Sequence, residues 1–178
     1  MSILKIARMG HPVLWGRATP VEFPLKPALA HLLADMRETL DDAGGAGLAA
    51  PQVFAPRRLF IYHVPPGRGD DDVGVPLTTV CNPVVTPLDE TQALGWEGCL
   101  SIPGLRAAVP RYTRIRLTGQ DAEGTPFVHE LSGFAARVVQ HETDHLDGIM
   151  YPMRLRDFSH FGFNEEIERF ARPLPEIS

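Results

Sequence analysis

The residues most able to do chemistry stand in one run, Gln140-His141-Glu142-Thr143-Asp144-His145. It has the form H-E-x-x-H, which sets two imidazoles one helical turn apart with a carboxylate between them. On a helix, His141 and His145 share a face, so both can reach one metal ion. Glu142 is offset by about 100° from His141, where it can take a proton from water activated at that ion. Phe134, Val138, His141 and His145 follow i, i+4, i+7, i+11, so the histidines prolong an apolar stripe toward the interior. Ser132 is a suitable N-cap and Gly148 a suitable C′ residue, which predicts a helix between them. This composition yields the five-residue pattern by chance in about 2% of cases. The pattern therefore favours a metal site without settling it.

A catalytic site of this kind takes a third protein ligand and keeps one position open. The chain offers three readings. His145-Leu146-Asp147-Gly148 continues toward the pattern of proteases with a third histidine, but Tyr151 stands where that histidine is due. Glu165 lies 20 residues past His145, as in zinc endopeptidases that take a glutamate from a later helix. Cys99 sits upstream in a Gly-Cys-Leu-Ser turn preceded by Glu97, although a free cysteine is more often a small core residue.

The elements that must position these groups are legible in outline. Pro27 to Ala43 carries Leu29, Leu32, Leu33, Met36 and Leu40 at helical spacing, with proline at its start and Gly44 past its end. Arg58–Val64, Thr78–Val85, Thr113–Gly119 and Thr125–Leu131 read as strands, the last two joined by an Asp121–Gly124 turn. Residues 3–8 suit a short strand or an extended arm. Trp96–Gly104 reads as a turn-rich connection, and Phe158–Arg172 as a closing amphipathic helix. Gly44 to Gln52 is a tight, small-residue turn, and the three aspartates after Gly69 form a solvated tip. The expectation is one α+β domain over residues 1–178, with small antiparallel sheets wrapped around a central buried H-E-x-x-H helix and a helix near each end.

The 178 residues suffice for a core without staples. The net charge of −5 argues against a nucleic-acid surface, and no nucleic-acid motif is present. Two cysteines, Cys81 and Cys99, make no disulfide framework and suit a reducing compartment. With no apolar leader at the N-terminus and no run of 18 apolar residues, the expected location is cytoplasmic, without a membrane span.

Three stretches carry a resemblance. Gly45-Ala-Gly-Leu-Ala-Ala-Pro-Gln52, Glu97-Gly-Cys-Leu-Ser101 and Gln140-His-Glu-Thr-Asp-His145 resemble, in order and separation, the three motifs of the peptide deformylases. The resemblance implies hydrolytic removal of the N-formyl group from the formylmethionine of new polypeptides, with release of formate. It implies Cys99, His141 and His145 as ligands of one divalent ion, usually Fe²⁺, with Zn²⁺, Ni²⁺ or Co²⁺ as substitutes. It gives Glu142 the acid–base role, and gives the Gln52 amide and the Leu100 N–H to the oxyanion. Gly45, Ala46 and Gly47 would face the substrate peptide, with Glu97, Arg106 and Arg137 also around it, and Glu97 is expected to pair with Arg111. Ala46 and Arg137 depart from common bacterial members and are similar to the organelle-type subgroup, which implies a methionine pocket of different width or polarity. An organellar matrix is thus a second possible location. The implied partners are formylmethionyl nascent peptides and, transiently, the ribosome, with the enzyme a monomer or homodimer.

Overall fold

Alternating apolar and polar residues in the middle of the chain build two antiparallel sheets, and a helix bearing the H-E-x-x-H run lies against them. The computed structural model describes residues 2–68, 74–170 and 173–175. Its elements are α1 (Pro27–Ala43), β1 (Gly47–Ala49), β2 (Leu59–Val64), β3 (Val75–Pro87), β4 (Gln92–Cys99), β5 (Ile102–Tyr112), β6 (Arg114–Gln120), β7 (Pro126–Ser132), α2 (Gly133–Leu146), β8 (Phe161–Phe163) and α3 (Asn164–Phe170). One sheet runs β1-β2-β3-β6-β7 and the other β4-β5-β8. The class is α+β.

α1 begins with Pro27, whose missing N–H costs nothing in a first turn, and stops at Gly44 in the left-handed region (φ 61°). It buries Leu33, Met36 and Leu40 against Leu48, Leu59, Ile61 and Cys81. Cys81 is a core hydrophobe: burial, with the charge of Asp121, pushes its thiol up to about 12. On the other face of β2, Phe60 and Tyr62 pack with Ala136, Val139 and Leu146 of α2. α2 touches β1, β2, β3, β5, β6 and β7. Such a location explains why nine of its residues are buried, Gln140, Glu142 and Asp144 among them. The Gln140 amide is held at both ends, donating to Tyr112 O (2.9 Å) and accepting from Tyr112 N (3.1 Å).

Several expectations change. Residues 3–8 are an extended arm outside both sheets, tied where Ala7 N donates to Gln52 O and Met9 N to Ser101 O. Trp96–Gly104 is the tip of a long hairpin, β4 and β5, whose arms reach Gln92 and Tyr112. Gly95, Gly98, Gly104 and Pro110 break the alternation that would have announced it. The closing helix is shorter than expected. Phe161 and Phe163 pair with Ala107 and Leu105 of β5 as β8, so α3 starts only at Asn164. Ala171 and Arg172, like the aspartate tip, lie outside the described residues. No described helix is long and apolar enough to cross a membrane.

Candidate metal centre

α2 delivers the two histidines as the spacing predicts, their ring centroids 4.9 Å apart. Cys99 comes from the end of β4, where a register shift between Gly98 and Cys99 turns the chain. Its Sγ lies 3.3 Å from His145 Nε2 and accepts from Ser101 N at 3.4 Å. The ligand atoms of Cys99, His141 and His145 all lie within 4.8 Å of one another, the one such group of metal-capable side chains among the described residues. Thiolate and imidazole suit a transition-metal ion. His145 is fully buried with no partner at Nδ1, and burial holds its pKa well below the ordinary range. The ring is therefore neutral and keeps a lone pair for a ligand. The donor set and the buried, unpartnered groups around it fit one ion.

Glu97 organises the other histidine. Its Oε2 takes His141 Nδ1 at 2.9 Å, which turns His141 Nε2 toward Cys99 and His145. Arg111 grips the carboxylate twice, Nε to Oε1 at 2.9 Å and Nη2 to Oε2 at 3.0 Å, and Arg137 Nη1 reaches Oε1 at 2.8 Å. Burial alone would raise the Glu97 carboxyl, but hydrogen bonds and charge from His141 and Arg111 hold it well below the usual range. Arg111 continues to Asp144, which Arg154 binds from outside through two more hydrogen bonds.

Glu142 is 4% exposed and its Oε2 has no partner. Burial raises its pKa to about 7, with Glu97 adding to the rise and the charges of His141 and Arg111 opposing it. Such a carboxylate exchanges protons near neutrality. Gly47 makes room for it: a Cβ there would sit 2.6 Å from Glu142 Cδ and 2.7 Å from Cγ. The Gln52 amide is oriented by Ala49 N, which donates to Oε1, while Nε2 donates to Ser101 Oγ (3.1 Å) and leans on Cys99 Sγ (3.6 Å).

A cavity of about 510 Å³ opens onto these groups, lined by Gly45, Ala46, Gly47, Gln52, Leu100 and the Phe134–Val138–His141 stripe. Four readings from sequence need correction. Arg106 does not line the cavity; its guanidinium binds Asn164 and Glu168 of α3. Glu97 borders the cavity, but both its oxygens are engaged by Arg111, Arg137 and His141. The Arg137 stem borders the cavity too, yet its head is committed to Glu97 and to the carbonyls of Ala93, Gly95 and Val109. Gly95 permits this, since a Cβ there would meet Arg137 Cζ at 2.6 Å. Finally, Glu165 is exposed on α3 and is not part of the ligand group, which removes the endopeptidase reading. The residues missed from sequence are Gly95, Ser101, Asp144 and Arg154. Asp144 lay inside the motif, in a variable position that no general rule assigns.

Three convergent sulfur and nitrogen donors beside a buried proton-accepting carboxylate, on an α+β scaffold, are the equipment of a metallohydrolase. A family profile for polypeptide deformylase matches residues 3–160. Peptide deformylase 2 of Ralstonia nicotianae is 49% identical over 164 residues, 92% of this chain and 93% of the relative. The crystal structure of peptide deformylase from Thermus thermophilus matches with a TM-score of 0.75 at 45% identity, covering 86% of each chain. The class I type b peptide deformylase of Acinetobacter baumannii bound to Met-Ala-Ser matches with a TM-score of 0.78 at 32% identity, covering 86% of this chain and 98% of that one. The chain belongs to the polypeptide deformylase family.

Proposed function

We propose that Cys99 Sγ and the Nε2 atoms of His141 and His145 hold one divalent ion, and that Glu142 moves the protons of the family reaction. That reaction removes the N-formyl group from newly synthesised polypeptides. When bound, the ion supplies Lewis acidity, polarising the formyl oxygen and lowering the pKa of a neighbouring water. Glu142 Oε2 takes the proton of the attacking water, and the same carboxyl then gives a proton to the departing amine nitrogen of methionine. An amine is a poor leaving group without that proton. Gln52 Nε2 and the Leu100 N–H donate to the oxyanion, each such donor worth about 3 kcal/mol of barrier. Gly45, Ala46 and Gly47 offer backbone to a peptide lying alongside β1, an edge strand of its sheet.

The thiolate reduces the formal charge of the site and softens it, which favours Fe²⁺, with Zn²⁺, Ni²⁺ and Co²⁺ able to bind the same donors. The chain is read as one catalytic domain whose sheets wrap the α2 helix. It works in the bacterial cytoplasm in transient contact with the ribosome. The reported relatives are bacterial, which supports that location over an organelle. The observation that carries the reading is the unpartnered Glu142 carboxylate buried beside the Cys99, His141, His145 group. Glu142→Ala should retain the ion and lose formate release; full turnover by that variant would exclude Glu142 from the chemistry.

A further inference from the structure

The net charge of the chain is an average over a divided surface. Residues 2–20 and 50–58 hold Lys5, Arg8, Arg17, Arg57 and Arg58, five of the 17 basic residues, and none of the 22 acidic ones. The rest of the chain therefore carries 12 basic residues against 22 acidic. The fold joins these two segments. Ala7 N donates to Gln52 O, Thr19 N to Pro56 O and Arg58 N to Thr19 O, while the His11 ring meets Phe54 edge-on at 5.0 Å. Asp147, at the end of α2, reaches Arg58 at 2.7 Å and Arg17 at 3.5 Å. Arg8 and Arg57 are exposed and have no carboxylate partner among the described residues; Arg57 Nη1 donates to the Thr19 hydroxyl at 3.1 Å.

Apolar side chains stand out on the same segments. Met9 is 49% exposed, and Trp15 and Phe54 are each 45% exposed. Phe54 has φ 65°, a left-handed conformation that costs a bulky residue energy and that glycine or asparagine would adopt more readily. A strained position occupied by an outward aromatic ring is a reason to look for a ligand.

We propose that this face docks single-stranded or looped RNA. Arginine forks match phosphate oxygens, and flat aromatic rings stack on unpaired bases. A membrane suits the face less well. Insertion calls for an amphipathic helix with a broad apolar side, and the helical elements of these segments are the short turns Pro12–Leu14 and Ala50–Val53. The face also adjoins the cavity: Met9 N donates to Ser101 O at 2.8 Å, and the Ser101 hydroxyl accepts from Gln52. RNA docked there would lie beside the mouth through which a peptide enters. The proposal uses no step of the reaction above, so the two can fail separately.

The test is fluorescence anisotropy of the full chain with a labelled single-stranded RNA of about 12 nucleotides, between about 50 and 200 mM KCl. Affinity should fall with salt at a log–log slope near −2, as for about three phosphate contacts. Arg8→Glu with Arg57→Glu should weaken binding at least about tenfold and flatten that slope by about 1. Trp15→Ser with Phe54→Ser should weaken it about fivefold or more with the slope kept, and should spare binding to a duplex of the same length. Turnover of a short formyl-peptide, unchanged in all variants, serves as the check of folding. Absence of RNA binding at the low salt, or affinities unchanged in both double variants, would overturn the proposal. So would phosphatidylglycerol vesicles that bind the wild type, but not the charge-reversed variant, while RNA binds neither.

Discussion

Replacing Arg137 by methionine distinguishes a residue that meets substrate from one that holds the site together. The side chain is 12% exposed, and its head spans α2 and the β4–β5 hairpin through Glu97 and three carbonyls. Breaking a buried ion pair from one side costs about 3–5 kcal/mol when the other charge is left alone. Here Glu97 keeps Arg111 and His141, so the lower part of that range, or less, applies. Carbonyls left without a donor cost about 1 kcal/mol each where water cannot reach them, and Ala93 O and part of the Arg137 head are near solvent. A total of about 3 kcal/mol is reasonable. In a chain of this size that lowers Tm by about 6–12 °C. Calorimetry at fixed metal loading, run beside steady-state kinetics on formyl-Met-Ala-Ser, reads both effects. The expected result is a large fall in Tm with KM little changed. Arg137→Met should also relieve part of the damage of Gly95→Ala, whose Cβ collides with the same guanidinium, so the two should be strongly non-additive. A Tm within about 2 °C of wild type with KM raised severalfold would refute the reasoning and return Arg137 to the substrate pocket.

Two further outcomes follow from the packing. Gly47→Ala puts a Cβ into the space of Glu142; the displaced carboxylate should cost about 100-fold in kcat, with metal content unchanged by elemental analysis. Tyr62 is fully buried and its hydroxyl has no partner, and burial pushes its pKa up to about 12. An unfolded tyrosine titrates near about 10, so the unfolded chain gives up that proton first. The contribution of Tyr62 is therefore complete below about pH 10 and is lost as pH rises toward about 12. Tyr62→Phe should be neutral or stabilising at neutral pH and should flatten the alkaline decline of Tm; an equal decline in both proteins would count against it.

Much of the candidate site could be read from the chain because its parts are local. The H-E-x-x-H spacing fixes His141 and His145 on one face of any helix, and Gly44 and Pro27 mark the bounds of α1. The partners of these groups were less legible, because they are set by contacts between distant segments. That Glu97 would be filled by three cationic groups, leaving nothing for substrate, depends on a hairpin whose glycines and prolines disguise its alternation. Arg137 looked like a pocket residue for the same reason: its helical position points at the cavity, while the carbonyls that capture its head belong to β4 and β5. At the C-terminal end, Phe161 and Phe163 satisfied a helical pattern and a strand pattern equally, and pairing with β5 decided between them. The charged face was hidden in a different way, since net charge cannot report that two separate segments without acids pack together.

The account rests on a thiolate and two imidazoles sharing one ion. Its most direct test is formate release from formyl-Met-Ala-Ser by anaerobically purified protein, with divalent metal counted in the same sample, for the wild type and Cys99→Ala. Wild type should carry about one equivalent of metal per chain and release formate, and Cys99→Ala should lose both. A Cys99→Ala protein that keeps its metal and its turnover would contradict the account.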